Sequence, residues 1–216
     1  MKKVIAFLLP SLLLTGCAPK YEIVNYYDYY VKKCKDFISN IDRDKNCDVA
    51  FLGDSITDWY DIVENYYKEY KTANRGIAGD TTNGLLDRLD FCAYALKPKI
   101  VYMMIGINNI DTMFDKYEDL LKGIKTNLPD SKVILASLTP VSWEGGNQKV
   151  ITANEKIKEY ANSYSFTYVD LYSHMVMADN YELIDDTCFG DGLHPNPKGY
   201  EIMTSLIKPI IADFLA

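Results

Sequence analysis

The chain has few of the groups that hold metals or nucleic acids. It contains two histidines, His174 and His194, and none of its five cysteines stands at metal-ligand spacing. A zinc centre is therefore not expected. Basic residues are in deficit: 23 Lys and Arg face 30 Asp and Glu, a formal charge of −7. A phosphate-backbone binder needs a basic face, so nucleic acid is not an expected partner. No apolar run reaches the roughly 20 residues needed to span a bilayer. No linker, composition break or internal repeat marks a second domain. What remains, at 216 residues with 48% hydrophobic and 25% charged, is a chain long enough to bury a sizeable core without staples.

The first residues read as an address rather than as part of a fold. Lys2 and Lys3 precede Val4 to Leu14, apolar apart from Pro10 and Ser11. A basic start and a short apolar core make a secretory signal peptide, expected over 1–16. Leu14-Thr15-Gly16-Cys17 follows and resembles the lipobox of bacterial lipoproteins. That resemblance implies cleavage before Cys17, lipidation of its sulfur, and an exported protein anchored to a bacterial membrane, facing outside the cytoplasm. Cys34, Cys47, Cys92 and Cys188 then remain, an even number, either as disulfides, most simply Cys34 with Cys47, or as free thiols.

Residues 17–47, Tyr- and Lys-rich and helical from about 21, form a lead-in that packs on the body or spaces it from the membrane. From 48 to 216 short apolar runs alternate with helical periods. The runs are Val49–Leu52, a short strand before Asn74, Lys99–Ile105, Val133–Leu138 and Phe166–Leu171. The helical stripes are Leu85/Leu89/Cys92/Leu96, Tyr117/Leu121/Ile124/Leu128, Ala153/Ile157/Tyr160 and Ile202/Leu206/Ile210/Phe214, with a kink expected at Pro209. Near-continuous apolar strands separated by helices predict a parallel sheet covered on both faces, an open α/β/α sandwich in a single domain.

Ligands of such sheets bind beyond the carboxyl ends of the strands. There the sequence carries Gly53-Asp54-Ser55-Ile56-Thr57, Asn74-Arg75-Gly76-Ile77-Ala78-Gly79-Asp80, Gly106-Ile107-Asn108-Asn109 and Asp191-Gly192-Leu193-His194-Pro195. A hydroxyl, glycine amides, a carboxamide and an Asp/His pair are the parts of an acyl-transfer site. Ser55 needs a base, and imidazole titrates near neutrality. Asp191, three residues before His194, can fix the ring's tautomer from the same loop. The Ser55 N–H, the Gly76 N–H and the Asn108 side chain can meet the charge that develops on the carbonyl oxygen. Asp54 is expected to brace the loop and Trp59 to sit in the core. Trp143 either packs at the surface or walls the pocket, and His174 is expected to be structural.

In these four blocks the sequence resembles the SGNH (GDSL-type) hydrolases from about residue 48 to the end. Gly-Asp-Ser alone is a weak signal, whereas four blocks in order are specific. The second block is nearest to the branch of platelet-activating-factor acetylhydrolase-like and carbohydrate acetylesterase-like members. The resemblance implies a three-layer α/β/α sandwich with a five-stranded parallel sheet (flavodoxin-like) and a serine esterase with Ser55, His194 and Asp191 as catalytic residues. It also implies an oxyanion hole of Ser55, Gly76 and Asn108, and no metal or organic cofactor. The expected substrate is a small-molecule or glycan ester, such as a sugar O-acetyl group. A lipase, lysophospholipase or thioesterase is the alternative within enzymes, and a catalytically silent glycan-binding module the alternative outside them. One residue departs from the pattern: Asn109 stands where the third block usually carries Asp, and it is expected to tune a local network.

Overall fold

The computed structural model describes residues 26–60, 63–176 and 185–216. The expected signal peptide and Cys17 lie outside the described residues. In chain order the described elements are α1 (Tyr26–Ser39), α2 (Ile41–Asp44), β1 (Val49–Gly53), α3 (Ser55–Asp58), α4 (Val63–Tyr66), β2 (Thr72–Gly76), α5 (Thr82–Asp87) and α6 (Leu89–Cys92). They continue with β3 (Ile100–Met104), α7 (Phe114–Asn127), β4 (Lys132–Ala136), α8 (Gly146–Tyr164), β5 (Thr167–Val169) and α9 (Pro197–Leu215).

The five strands pair in parallel in the order β2-β1-β3-β4-β5. This is the doubly wound flavodoxin-like order, and the three-layer α/β/α sandwich expected from the sequence is what forms. Every residue of β1 and β3 is buried, because helices cover both faces of the central strands. Full burial of a Val, Leu, Ile or Phe side chain contributes about 1.5–3 kcal/mol. The order reverses at β1 and β3, so the chain leaving β1 toward Ser55 and the chain leaving β3 toward Asn108 flank the switch point.

The second strand differs from expectation in where it ends. It runs through Asn74 and Arg75 to Gly76 rather than stopping before them. Arg75 is 2% exposed, and its Nη2 donates to Asp44 Oδ2 at 2.7 Å. The guanidinium also lies over the Phe37 ring, 4.8 Å from its centroid. A buried charge needs such partners, and α1 and α2 supply them. The lead-in helix therefore packs on the body, with Phe37 in the core.

The last helix is also turned from the expected stripe. Met203, Ile207 and Ile211 are buried, while Ile202, Leu206, Ile210 and Phe214 are only partly so. Two apolar stripes lie one residue apart on α9, and only packing decides which faces the sheet. Pro209 sits inside an uninterrupted helix. Cys34 and Cys47 are not bonded to each other, so the Cys34–Cys47 disulfide does not form, and Cys47 and Cys92 are buried thiols.

Candidate active site

At the end of β1 the chain turns directly into α3. The carboxylate of Asp54 caps that turn, accepting the Ile56 N–H at 3.1 Å. Asp54 is 1% exposed, and burial, reinforced by the nearby Asp80 carboxylate, pushes its pKa up to about 7. It braces the loop, as expected.

Ser55 follows as the first helical residue, almost wholly buried. Its hydroxyl lies 2.8 Å from His194 Nε2, and His194 Nδ1 lies 2.6 Å from Asp191 Oδ2. The other carboxylate oxygen of Asp191 accepts the backbone N–H groups of Leu193 and His194, both at 3.0 Å. Burial would raise the Asp191 pKa, but the hydrogen bonds from the His194 backbone, the His194 ring and Leu193 outweigh it and hold it below the ordinary value. An ionised carboxylate at Nδ1 selects the Nδ1–H tautomer and leaves Nε2 to accept the Ser55 proton. The loop is tied at both ends: Phe189 N–H donates to the His194 carbonyl at 2.8 Å, and Ser142 N–H to the Gly192 carbonyl at 2.9 Å. Sequence separations of 136 and 139 residues thus close into one line of hydrogen bonds from Asp191 through His194 to Ser55.

Trp59 is not in the core. It is 41% exposed and lies against the His194 ring, with centroids 4.0 Å apart and planes inclined at 35°. It packs on the imidazole flank, four residues past Ser55. The sequence shows only an aromatic one helical turn on, so neither its exposure nor its partner could be read there. His174 stays apart, on an exposed turn beside Asp170 and Ser173. Trp143 is 42% exposed, on the segment that Ser142 ties to Gly192.

The second loop requires a correction. The Gly76 N–H is already donated to Asn74 Oδ1 at 2.9 Å, and Gly76 is buried against Thr57 and Asp58, where a Cβ would collide with backbone. It is a glycine for close packing of β2 on α3, and its amide is not available to a ligand. Three residues on, Gly79 is exposed at φ +77°, a conformation that favours glycine, and its N–H makes no hydrogen bond among the described residues. The loop around it is fixed: Ala78 N–H donates to Asp58 Oδ2 at 2.8 Å and Asp80 N–H to the Ile77 carbonyl at 3.1 Å. Asp80 accepts from Arg88 Nε at 2.8 Å, and Arg88, 1% exposed, also donates to the Gly53 carbonyl at 3.0 Å.

The third loop reaches the second. Asn108 Nδ2 donates to the Asp80 carbonyl at 2.8 Å, which orients one amide hydrogen and leaves the other for a ligand. Asn109 pairs with Thr82: its Nδ2 donates to Thr82 Oγ1 at 2.9 Å and its Oδ1 accepts the Thr82 N–H at 3.3 Å. The residue that departs from the family pattern is thus a brace between loops.

A sequence model described as the GDSL-like lipase/acylhydrolase family matches residues 51–202. The chain is 31% identical over 134 residues to a multidomain esterase of Ruminococcus flavefaciens, covering 56% of this chain and 17% of that protein. It is 27% identical to an acetylxylan esterase of Xylanibacter ruminicola, covering 86% of this chain and 48% of the relative. The chain thus spans less than half the length of either curated relative. Among solved structures, a GDSL-like lipase of Bacteroides thetaiotaomicron superposes with a TM-score of 0.71 at 28% identity, over 88% of this chain and 98% of that one.

Proposed function

The chain belongs to the GDSL-like lipase/acylhydrolase family, whose model matches residues 51–202, and on that premise we propose that it is a serine esterase of short O-acyl groups, with Ser55 as nucleophile. The observation that carries the assignment is the continuous Asp191–His194–Ser55 hydrogen-bond line. His194 Nε2 takes the Ser55 proton as Oγ attacks the ester carbonyl. The resulting imidazolium is stabilised by Asp191 and then protonates the departing alcohol. Water, deprotonated by the same nitrogen, releases the acid and restores the serine. The oxyanion is met by the Ser55 N–H at the start of α3, the free amide hydrogen of Asn108 and the Gly79 N–H, which takes the role that the sequence suggested for Gly76.

The substrate class we favour is O-acetyl groups on glycans. The acetylxylan esterase relative supports it. So does the rim: Trp59, Trp143 and Phe189, three of the five exposed large hydrophobic side chains among the described residues, lie on or beside segments bonded to the His194 loop. Aromatic faces suit sugar rings, and the indole N–H of each tryptophan adds a polar edge. A fluorophosphonate probe is expected to add to Ser55, read by peptide mass mapping, and acetate release is expected from acetylated xylo-oligosaccharides in preference to lysophospholipids. Label on another residue of active protein would reject the nucleophile, and preferential fatty-acid release would reject the substrate class.

We also propose that Cys17 carries a lipid that anchors the protein outside the cytoplasm of a bacterium. No helix among the described residues is long and apolar enough to cross a membrane, and in this reading the lipid on Cys17 is the anchor. Cys17→Ser is expected to move the protein from the membrane to the soluble fraction. A variant still bound after a high-salt wash would refute the anchor.

A further inference from the structure

The helix α1 lies upstream of the family-matched segment, yet it bonds to α3, which Ser55 opens, and to α5, which follows the Gly79 loop. Asp58, three residues beyond Ser55 in α3, is 5% exposed. Its Oδ1 accepts from Lys33 Nζ at 2.6 Å, and its Oδ2 accepts from Tyr29 OH at 2.6 Å and from the Ala78 N–H at 2.8 Å. Lys33 and Tyr29 belong to α1. The same helix donates from Tyr30 OH to the Gly84 carbonyl at 3.0 Å. Its Phe37 ring faces the guanidinium groups of Arg75 and Arg88, and Arg88 in turn holds Asp80 and the Gly53 carbonyl.

We propose that α1 is a working part of the esterase: Lys33 and Tyr29 hold the Asp58 carboxylate so that it fixes the Ala78 N–H, and with it the loop that presents Gly79, against the nucleophile helix. Lys33, Tyr29 and Asp58 are positioning residues, acting through the loop and touching no substrate. The physical reason is charge. A carboxylate this buried is stable only with a cation and good donors. Lys33 pairs with one carboxylate oxygen of Asp58, and the other accepts the N–H of Ala78, one residue before Gly79. Without Lys33 the buried carboxylate is left short of a partner and is drawn toward water, and the loop loses its tether. Oxyanion donors must be set before the reaction, so a loose loop lowers turnover more than substrate binding.

The proposal rests on the esterase reading, and two measurements on the full chain keep the two separable. In Lys33→Met, amide hydrogen exchange in the peptide covering residues 77–81 is expected to speed up about tenfold or more. Its kcat for p-nitrophenyl acetate, per Ser55 titrated by fluorophosphonate, is expected to fall about 10- to 100-fold with KM within about twofold. Lys33→Arg keeps the cation and should restore most of both, while Lys32→Met, on an exposed face of the same helix, should change neither. Tyr29→Phe removes one donor without stranding the charge, so it is expected to show a smaller effect of the same kind even if Lys33→Met fails to fold. Unchanged exchange in Lys33→Met, or in Tyr29→Phe where the former does not fold, overturns the tether. Faster exchange with normal kcat per titrated site overturns its catalytic role. A wild-type protein that hydrolyses no ester defeats the functional reading instead, and the exchange result then still decides whether α1 holds the loop.

Discussion

Ser55→Ala is expected to reduce kcat/KM for p-nitrophenyl acetate by about 10⁴- to 10⁶-fold. The Ser55 hydroxyl is the atom that His194 Nε2 faces at 2.8 Å, and the variant offers the ester no other nucleophile on that line. Remaining turnover would come from water, helped by whatever oxyanion donors and binding survive. Stability should change little, by about 1 kcal/mol or less, since the lost hydrogen bond is to a ring whose side chain retains 12% exposure and can be solvated. Steady-state kinetics on one short-chain ester, with the melting temperature measured alongside, decide the matter. Activity above about one per cent of wild type in a folded variant would mean that the acyl group passes through a different residue.

What could be read in the sequence followed period and order. The central strands showed themselves as unbroken apolar runs because both faces of β1 and β3 are covered. The four blocks fell at strand ends, where the topology of a parallel sheet collects them. The spacing of Asp191 and His194 allowed a pair that the structure forms. What could not be read depended on contacts between distant segments. Gly76 and Gly79 are indistinguishable as letters. Only the fold shows that Asn74 occupies the Gly76 amide and that Gly79 stands at positive φ with its N–H free. Arg75 interrupted an apolar reading of β2, because its partners, Asp44 and Phe37, lie more than 30 residues away. Trp59 looked like core by residue type, and its exposed place against His194 follows from a loop 135 residues distant. The lead-in segment carried no motif at all, and its role rests on Lys33 meeting Asp58.

Asn108→Ala is expected to cut kcat by about 10²- to 10³-fold with little change in KM. The Asn108 side chain makes one hydrogen bond among the described residues, to the Asp80 carbonyl, and caps no helix. Losing that bond alone would cost about 1 kcal/mol of stability and leave turnover largely intact. In the proposed oxyanion hole the second amide hydrogen would meet charge only as the tetrahedral species forms, which is why the loss should fall on kcat. Asn109 provides the internal control on the same turn. Its side chain is committed to Thr82 through both the amide nitrogen and the amide oxygen. Asn109→Asp retains an acceptor for the Thr82 N–H, and Thr82 Oγ1 can reverse its role and donate to the second carboxylate oxygen. That variant should therefore keep kcat within a few-fold while its melting temperature shifts slightly. An Asn108→Ala enzyme that melts lower yet turns over normally would leave stabilisation of the oxyanion to the backbone amides of Ser55 and Gly79. The corresponding drop in kcat, confined to Asn108 and absent at Asn109, would instead assign the charge-bearing contact to a single carboxamide.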